Sequence, residues 1–109
     1  MTDILLVYIT TPSKEEAKRI AGALIEESLA ACANIIPAVE SLYRWQGELR
    51  QSEESLLLLK THKKAFNRLA ERVKEMHPYE LPCIVALTLS DGLPGFLDWA
   101  AGEVTQNQP

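Results

Sequence analysis

ACANIIPAVESLYRWQGELRQSEESLLLLKTH, residues 31–62, contains two strand-like segments separated by a turn. The first segment is rich in β-branched and aromatic side chains, the second contains the run LLLL (56–59), and Gln46 with Gly47 supplies the turn between them. The stretch therefore predicts one long β-hairpin. If residues 32–46 are extended, they span roughly 50 Å at ~3.3 Å per residue, less any bend at Pro37.

The predicted hairpin is longer than the domain that carries it. The 109 residues are expected to form a single domain, residues 1–109, with a diameter of roughly 35 Å. Large apolar residues cluster near the tip: Leu42, Tyr43, Trp45 and Leu49. An isolated ribbon cannot bury them, so we expect self-association, with each hairpin along a neighbouring subunit's sheet edge. The alternative is two short strands divided by Pro37 and an amphipathic loop.

Elements on the N-terminal side of the hairpin are a strand and a helix. ILLVYITT (4–11) is a continuous apolar run, which is typical of a strand buried on both faces. PSKEEAKRIAGALIEESLA (12–30) has the period of an amphipathic helix, and Ser13 with Glu16 forms a predicted capping box.

Elements on the C-terminal side repeat this pattern in reverse order. KKAFNRLAERVKEMH (63–77) predicts a second amphipathic helix that Pro78 prevents from continuing. LPCIVALTL (81–89) predicts a final buried strand, and FLDWAAGEV (96–104) a short last helix. The tail TQNQP (105–109) is expected to fray.

The order β-α-β-β-α-β predicts an α+β, ferredoxin-like (split βαβ) fold. Its antiparallel sheet carries two packed helices, the long hairpin and the short C-terminal helix. The second and fourth strands lie at opposite edges in this topology, so Cys32 and Cys83 would be about 14 Å apart. A disulfide tolerates ~7 Å between Cα atoms. We therefore expect two reduced core thiols, as in a cytoplasmic protein.

Composition excludes several classes of protein. A net charge of −4 argues against nucleic acid as a partner, because such proteins usually present a basic face. The sequence contains no apolar run near the ~20 residues of a membrane span. The N-terminal run lacks a preceding positive charge, so a signal peptide is not expected and a cytoplasmic location is.

His77, in KEMHPYELP (74–82), is a candidate metal ligand. Copper and zinc sites usually need several imidazole or thiolate groups, and only Met76, Tyr79 and Glu80 are near it in sequence. In the alternative interpretation His77 caps the second helix, whose C-terminus favours its positive form. His77 and Glu80 could also form an acid/base pair, but no activated nucleophile, oxyanion nest or phosphate loop accompanies them. We therefore predict that the protein is not an enzyme.

Four other residues could line a cleft between subunits: Tyr43, Trp45, Lys60 and Tyr79, with Glu80 beside them. Strand alternation places Tyr43 and Trp45 on one face. Aromatic rings with one lysine would suit a small anionic ligand, although an obligate interface buries the same residue types. His62, in the basic run THKK, is expected to be exposed and to start the second helix.

The blocks ACANI, SLYRWQG, HPYELP and FLDW closely resemble the divalent-cation-tolerance family, CutA, from Val7 to Trp99. The resemblance implies a homotrimer interlocked through the hairpin, likeness to PII signalling proteins, and a role in tolerance of metals such as copper. It also implies copper ligands at a first-strand cysteine and at histidines before PY. This chain has Ile9 and Met76 at two of those positions, which leaves His77. We expect weak binding of copper or another divalent cation and no required cofactor. The alternatives are a PII-like small-molecule sensor and a trimer that anchors another protein.

Overall fold

The computed structural model describes residues 2–106, which form the predicted order of elements. These are β1 (Ile4–Thr11), α1 (Lys14–Glu26), β2 (Cys32–Trp45), β3 (Glu48–His62), a 3₁₀ turn (Lys63–Ala65), α2 (Phe66–Met76), β4 (Ile84–Thr88) and α3 (Pro94–Gly102). The Ser13 side chain accepts from the Glu16 backbone N–H at 3.1 Å, which confirms the cap of α1. Of the tail expected to fray, Thr105 is held by a 2.8 Å bond from its N–H to the Ser28 carbonyl. Residues 107–109 lie outside the described part.

The strands form one antiparallel sheet in the order β2-β3-β1-β4. This confirms the ferredoxin-like fold. β2 and β4 are the two edges, and Cys32 and Cys83 are both free thiols as predicted. They are not core residues, however: Cys32 is half-buried and Cys83 is exposed. The reason for Cys32 is its facing: it lies opposite Lys60 and, through it, Leu6, on the face of the sheet that α1 and α2 do not cover, whereas Ala33 and Ile35 of the same strand pack against the core. Cys83 lies one residue before β4, outside the strand.

One face of the sheet, called the covered face, packs against α1 and α2. Its strand residues are fully buried: Val7, Ile9, Leu57 and Leu59. Ile20 and Leu24 of α1 and Leu69 and Val73 of α2 complete this core. The helices bury these residues because their apolar positions recur at helical spacing on one side.

The opposite face, called the second face, is only partly covered. α3 covers one end, where Ile4, Ala100 and Val104 form a smaller buried cluster. Elsewhere on this face large apolar residues are half-buried or exposed: Leu6, Tyr8, Leu58, Val85 and Leu87. The prediction that β1 is buried on both faces is therefore wrong for the single chain, because α3 is too short to span the sheet.

The hairpin is one continuous ribbon with a single described irregularity. β2 and β3 pair from Cys32 to Ile36 and again from Val39 to Trp45, with a register shift between Ile36 and Val39. Pro37 lies in this shift and lacks the N–H that a ladder bond needs. The Ser55 hydroxyl donates to the Pro37 carbonyl at 2.6 Å. The alternative of two short strands with a loop at the tip is therefore wrong.

The turn and the dimensions of the chain agree with an overhanging hairpin. Gln46 (φ 51°) and Gly47 (φ 81°) both have positive φ, as a two-residue type I′ turn requires. The chain measures 44 × 28 × 24 Å, so its long axis exceeds the expected diameter of roughly 35 Å. No helix within residues 2–106 has the length and apolarity to cross a membrane.

Candidate functional site

A cavity of about 580 Å³ lies between the outer half of the hairpin and the connection from α2 to β4. We call it the hairpin cavity. Its hairpin wall is Ser41, Leu42, Tyr43, Trp45, Arg50 and Glu54. The opposite wall is Pro78, Tyr79, Glu80, Leu81 and Cys83, and Thr10 of β1 closes it. The volume lies within the range of small-molecule sites.

A hydrogen bond between the two walls forms the polar centre of the hairpin cavity. The Tyr79 hydroxyl donates to Glu54 Oε2 at 2.6 Å, and Glu54 is only 7% exposed. Burial, together with the hydrogen bond to Glu54, raises the pKa of the Tyr79 phenol above its usual value. Tyr79 therefore remains a neutral donor to a desolvated carboxylate.

His77 lies outside the hairpin cavity and holds the backbone of Tyr79 through a hydrogen bond. It is the C-cap of α2, and its backbone N–H donates to the Val73 carbonyl at 2.8 Å. Its ring bridges two segments: Nε2 is 2.8 Å from the Thr10 carbonyl oxygen, and Nδ1 accepts from the Tyr79 N–H at 3.1 Å. A carbonyl only accepts, so Nε2 is the donor in its bond to Thr10 and Nδ1 is the acceptor in its bond from Tyr79. The predicted capping role of His77 is thus confirmed.

The residues at the family's copper positions do not fit a copper centre within one chain. Both nitrogens of His77 are used, Ile9 is fully buried in the core, and Met76 packs against that core. Within residues 2–106, His, Cys, Asp and Glu side chains form no group of three or more that could hold a metal ion. The same hydrogen bonds leave no ring nitrogen of His77 for an acid/base pair with Glu80, which is exposed.

The structure brings together most of the residues predicted for the cleft. Tyr43, Trp45, Tyr79 and Glu80 all line the hairpin cavity. Lys60 does not: it lies opposite Cys32 and Leu6 in the sheet, with its Nζ 5.8 Å from the centroid of the Phe96 ring.

Glu54, Arg50 and Cys83 were missed by sequence reasoning. Glu54 precedes LLLL (56–59) by two residues. The face of the sheet that carries its side chain depends on strand register, which cannot be read from the sequence. Partial burial, with the Glu54 charge, raises the pKa of the Cys83 thiol.

The charges around the hairpin cavity differ from those expected. Arg50 is the cation among its lining residues, and it donates to the Glu48 carboxylate at 3.1 Å at an exposed position. Glu54 and Glu80 supply two carboxylates. The lining is therefore net negative, and the lysine that favoured a small anionic ligand lies elsewhere.

His62 starts the second helical segment as predicted, but it is buried, with 5% exposure. Its Nδ1 accepts from the Lys64 N–H at 3.1 Å, and its Nε2 is 3.9 Å from Asp3 Oδ2. Burial lowers the pKa of His62, and the Asp3 carboxylate opposes that effect. The prediction that His62 is exposed was wrong, because His62 pairs with Ile4, which is buried in the cluster beneath α3.

The fold and the site define a class of protein: a ferredoxin-like subunit with an overhanging hairpin that walls a small cavity beside a partly bare sheet face. Comparison with known proteins identifies the family within that class. This chain belongs to the CutA1 divalent ion tolerance protein family, whose model matches residues 5–103. The resemblance seen in the sequence is confirmed.

Individual relatives agree with this family. "Divalent-cation tolerance protein CutA" of Thermus thermophilus is 55% identical over 94 residues, covering 86% of this chain and 91% of that protein. "Protein CutA 1, chloroplastic" of Oryza sativa is 43% identical over 95 residues, or 87% of this chain but 54% of that protein; the chain thus spans about half its length. A solved structure of the T. thermophilus "Divalent cation tolerance protein (Cut A1)" has a TM-score of 0.92 at 51% identity, covering 94% of this chain and 99% of its own. The family and the T. thermophilus protein are both named for tolerance of divalent ions.

Proposed function

We propose that this chain forms a cytoplasmic homotrimer that acts in the tolerance of divalent metal ions such as copper without catalysing a reaction. The role in tolerance is supported by the family and by the names of its relatives. The absence of catalysis is supported by the chemistry of the cavity. Its thiol, Cys83, has a raised pKa and so little thiolate, and both ring nitrogens of His77 are engaged.

The observation that carries the trimer is the apolar surface that the chain leaves bare. Leu42 and Leu49 project from the hairpin, and Leu49 is 72% exposed. Val85 and Leu87 are exposed on the edge strand β4. Large exposed apolar patches usually mark an interface, and a closed ring of subunits that share one type of contact would cover both regions. The likeness to CutA favours three subunits.

Sedimentation equilibrium at micromolar concentration tests the assembly. We expect a single species of three times the chain mass. A monomer or a dimer would overturn the trimer. The variant Leu49→Ser, at the hairpin tip, should shift the distribution toward monomer, whereas Ile25→Ser, at an exposed position on α1, should not.

Binding of divalent metal at His77 is proposed to be weak, because a metal would have to displace a hydrogen bond of the imidazole. Calorimetry with copper and with zinc should show no saturable binding at micromolar metal. Saturable binding that disappears in His77→Ala would contradict this and would restore His77 as a ligand.

A second candidate function, a PII-like small-molecule sensor, is favoured by the hairpin cavity. Both of its walls lie next to surfaces that the trimer would join, so a bound molecule could report its presence to a neighbouring subunit. Thermal-shift screening should then find organic ions that stabilise the trimer. A trimer that no nucleotide, organic anion or organic amine stabilises would remove this candidate.

A further inference from the structure

We propose that the hairpin cavity binds a small organic cation, an amine or quaternary ammonium compound. The proposal rests on the sensor function above and names the chemical class of its ligand. It follows from three features of the cavity: a desolvated carboxylate, aromatic walls and the position of the nearby cations.

The carboxylate is the strongest of these features. Glu54 is 7% exposed, and its hydrogen bond comes from the Tyr79 hydroxyl, a group that brings no positive charge to the carboxyl. A charge at the edge of the protein interior attracts an opposite charge more strongly than one in bulk water. Glu80 adds a second negative charge at the rim of the same cavity.

The aromatic walls favour an organic cation over a metal ion. Tyr43, Trp45 and Tyr79 line the cavity, and the faces of such rings attract alkylammonium groups. A divalent metal would need several oxygen, nitrogen or sulfur ligands, and residues 2–106 contain no group of three or more His, Cys, Asp and Glu side chains that could supply them. A metal also gains little from contact with aromatic carbon.

An anion is disfavoured by the position of the cations. Arg50 already donates to Glu48, and Lys60 lies beside Phe96 at another part of the sheet. A phosphate or carboxylate in this cavity would face Glu54 with no lysine among the lining residues to offset it. The pocket is instead complementary to a single positive charge surrounded by methyl or methylene groups.

The test uses choline and butylamine as probes, with dimethylbutanol and butanol as uncharged isosteres and inorganic phosphate as the anion. The wild-type trimer is titrated by calorimetry and by following the Trp45 indole N–H signal in NMR spectra. We expect at least one amine to bind saturably and to shift that signal. Its isostere should bind about tenfold more weakly or worse, and phosphate should not bind.

Variants locate the site. Glu54→Gln should weaken the amine about tenfold. Glu53→Gln, its neighbour on the opposite face of β3, removes the same charge outside the cavity and should not change binding. If Glu54→Gln does not assemble, Trp45→Leu and Glu80→Gln serve instead and should each weaken binding.

The outcomes separate this inference from the proposed function. A trimer that binds neither amine, that binds phosphate in preference, or that binds an amine equally well in Glu54→Gln overturns the organic-cation site alone. A chain that binds choline or butylamine as a monomer supports the site and overturns the trimer.

Discussion

The covered face and the second face of the sheet are built by the same strands but end in different environments. Leu57 is fully buried beneath the helices, whereas its neighbour Leu58 is half-buried, and Leu87 on β4 is 56% exposed. The chain places large apolar side chains on both faces and covers one with its own helices. The difference teaches that a continuous apolar run in the sequence does not by itself report burial on both faces of the sheet within one chain.

The largest effect is expected from a charge on the second face. Leu87→Asp should convert the trimer to a folded monomer, because assembly would desolvate a carboxylate in each subunit at a cost of several kcal/mol. Sedimentation equilibrium and far-UV circular dichroism would measure mass and fold.

The matched control is Ile25→Asp, which places the same charge at an exposed site on α1. It should leave the trimer intact. If Leu87→Asp stays trimeric, the second face is not the interface, and the difference between the two faces belongs to the subunit alone.

The next largest effect is the loss of stability on truncating one of two adjacent leucines, measured in the monomeric Leu87→Asp background. Leu57→Ala should lower the free energy of unfolding by about 2–5 kcal/mol, because it leaves a void in a fully packed core. Leu58→Ala should cost clearly less there. Urea unfolding followed by circular dichroism would measure both.

In the trimeric background the two substitutions should become more alike, since neighbouring subunits would cover Leu58. Equal costs in the monomer would mean that the second face is already packed within the chain.

The fold could be predicted from the sequence because its signals are local. The hairpin follows from two strand-like segments around Gln46 and Gly47, and α1 follows from its period and the Ser13 cap. The covering of the sheet could not be predicted, because LLLL (56–59) is equally apolar on both sides and shows no alternation. The side that α1 and α2 cover follows from the handedness of the β-α-β crossovers, and the short α3 covers only one end of the other side.

The hairpin cavity was predicted only in part. Tyr43, Trp45 and Tyr79 were identified by residue type, but Lys60 was assigned to the same group from its position on the paired strand. Lys60 is six residues beyond Glu54 along β3, which is roughly 20 Å at ~3.3 Å per residue. Whether Glu54 or Lys60 lies at the cavity depends on how β2 and β3 are aligned beyond the shift at Pro37. That alignment is a tertiary property, and no local sequence pattern reports it.

A smaller loss of stability is expected when the hydrogen bond at the centre of the hairpin cavity is removed. Tyr79→Phe removes the donor to Glu54 and leaves a mostly buried carboxylate without it, which should lower the free energy of unfolding by about 1–3 kcal/mol. Thermal or urea unfolding would measure the change.

Tyr43→Phe is the matched control, because its hydroxyl lies 3.4 Å from Ser52 Oγ at an exposed site. It should change stability by less than about 0.5 kcal/mol. Equal effects of the two variants would mean that Glu54 finds another partner when Tyr79 is removed, and that the cavity is more open than the structure indicates.

The smallest effect concerns His62, at the end of the second face that α3 protects. Burial holds the pKa of His62 below its ordinary value of 6.5. The unfolded chain therefore binds more protons just below that pH, and the associated stability is present above it and lost as pH falls through the folded pKa. Denaturant unfolding from about pH 7 to about pH 5 should show this loss.

Two variants decide whether His62 causes that loss. His62→Asn keeps a cap acceptor for the Lys64 N–H but cannot titrate, so its stability should decline less over the same range. Asp3→Asn removes the carboxylate that favours the charged ring, so the pKa of His62 should fall further and the decline should steepen. A decline that neither substitution alters would place the titrating group elsewhere and would show that α3 does not desolvate this end of the sheet. The covered part of the second face would then be as open to water as the bare part.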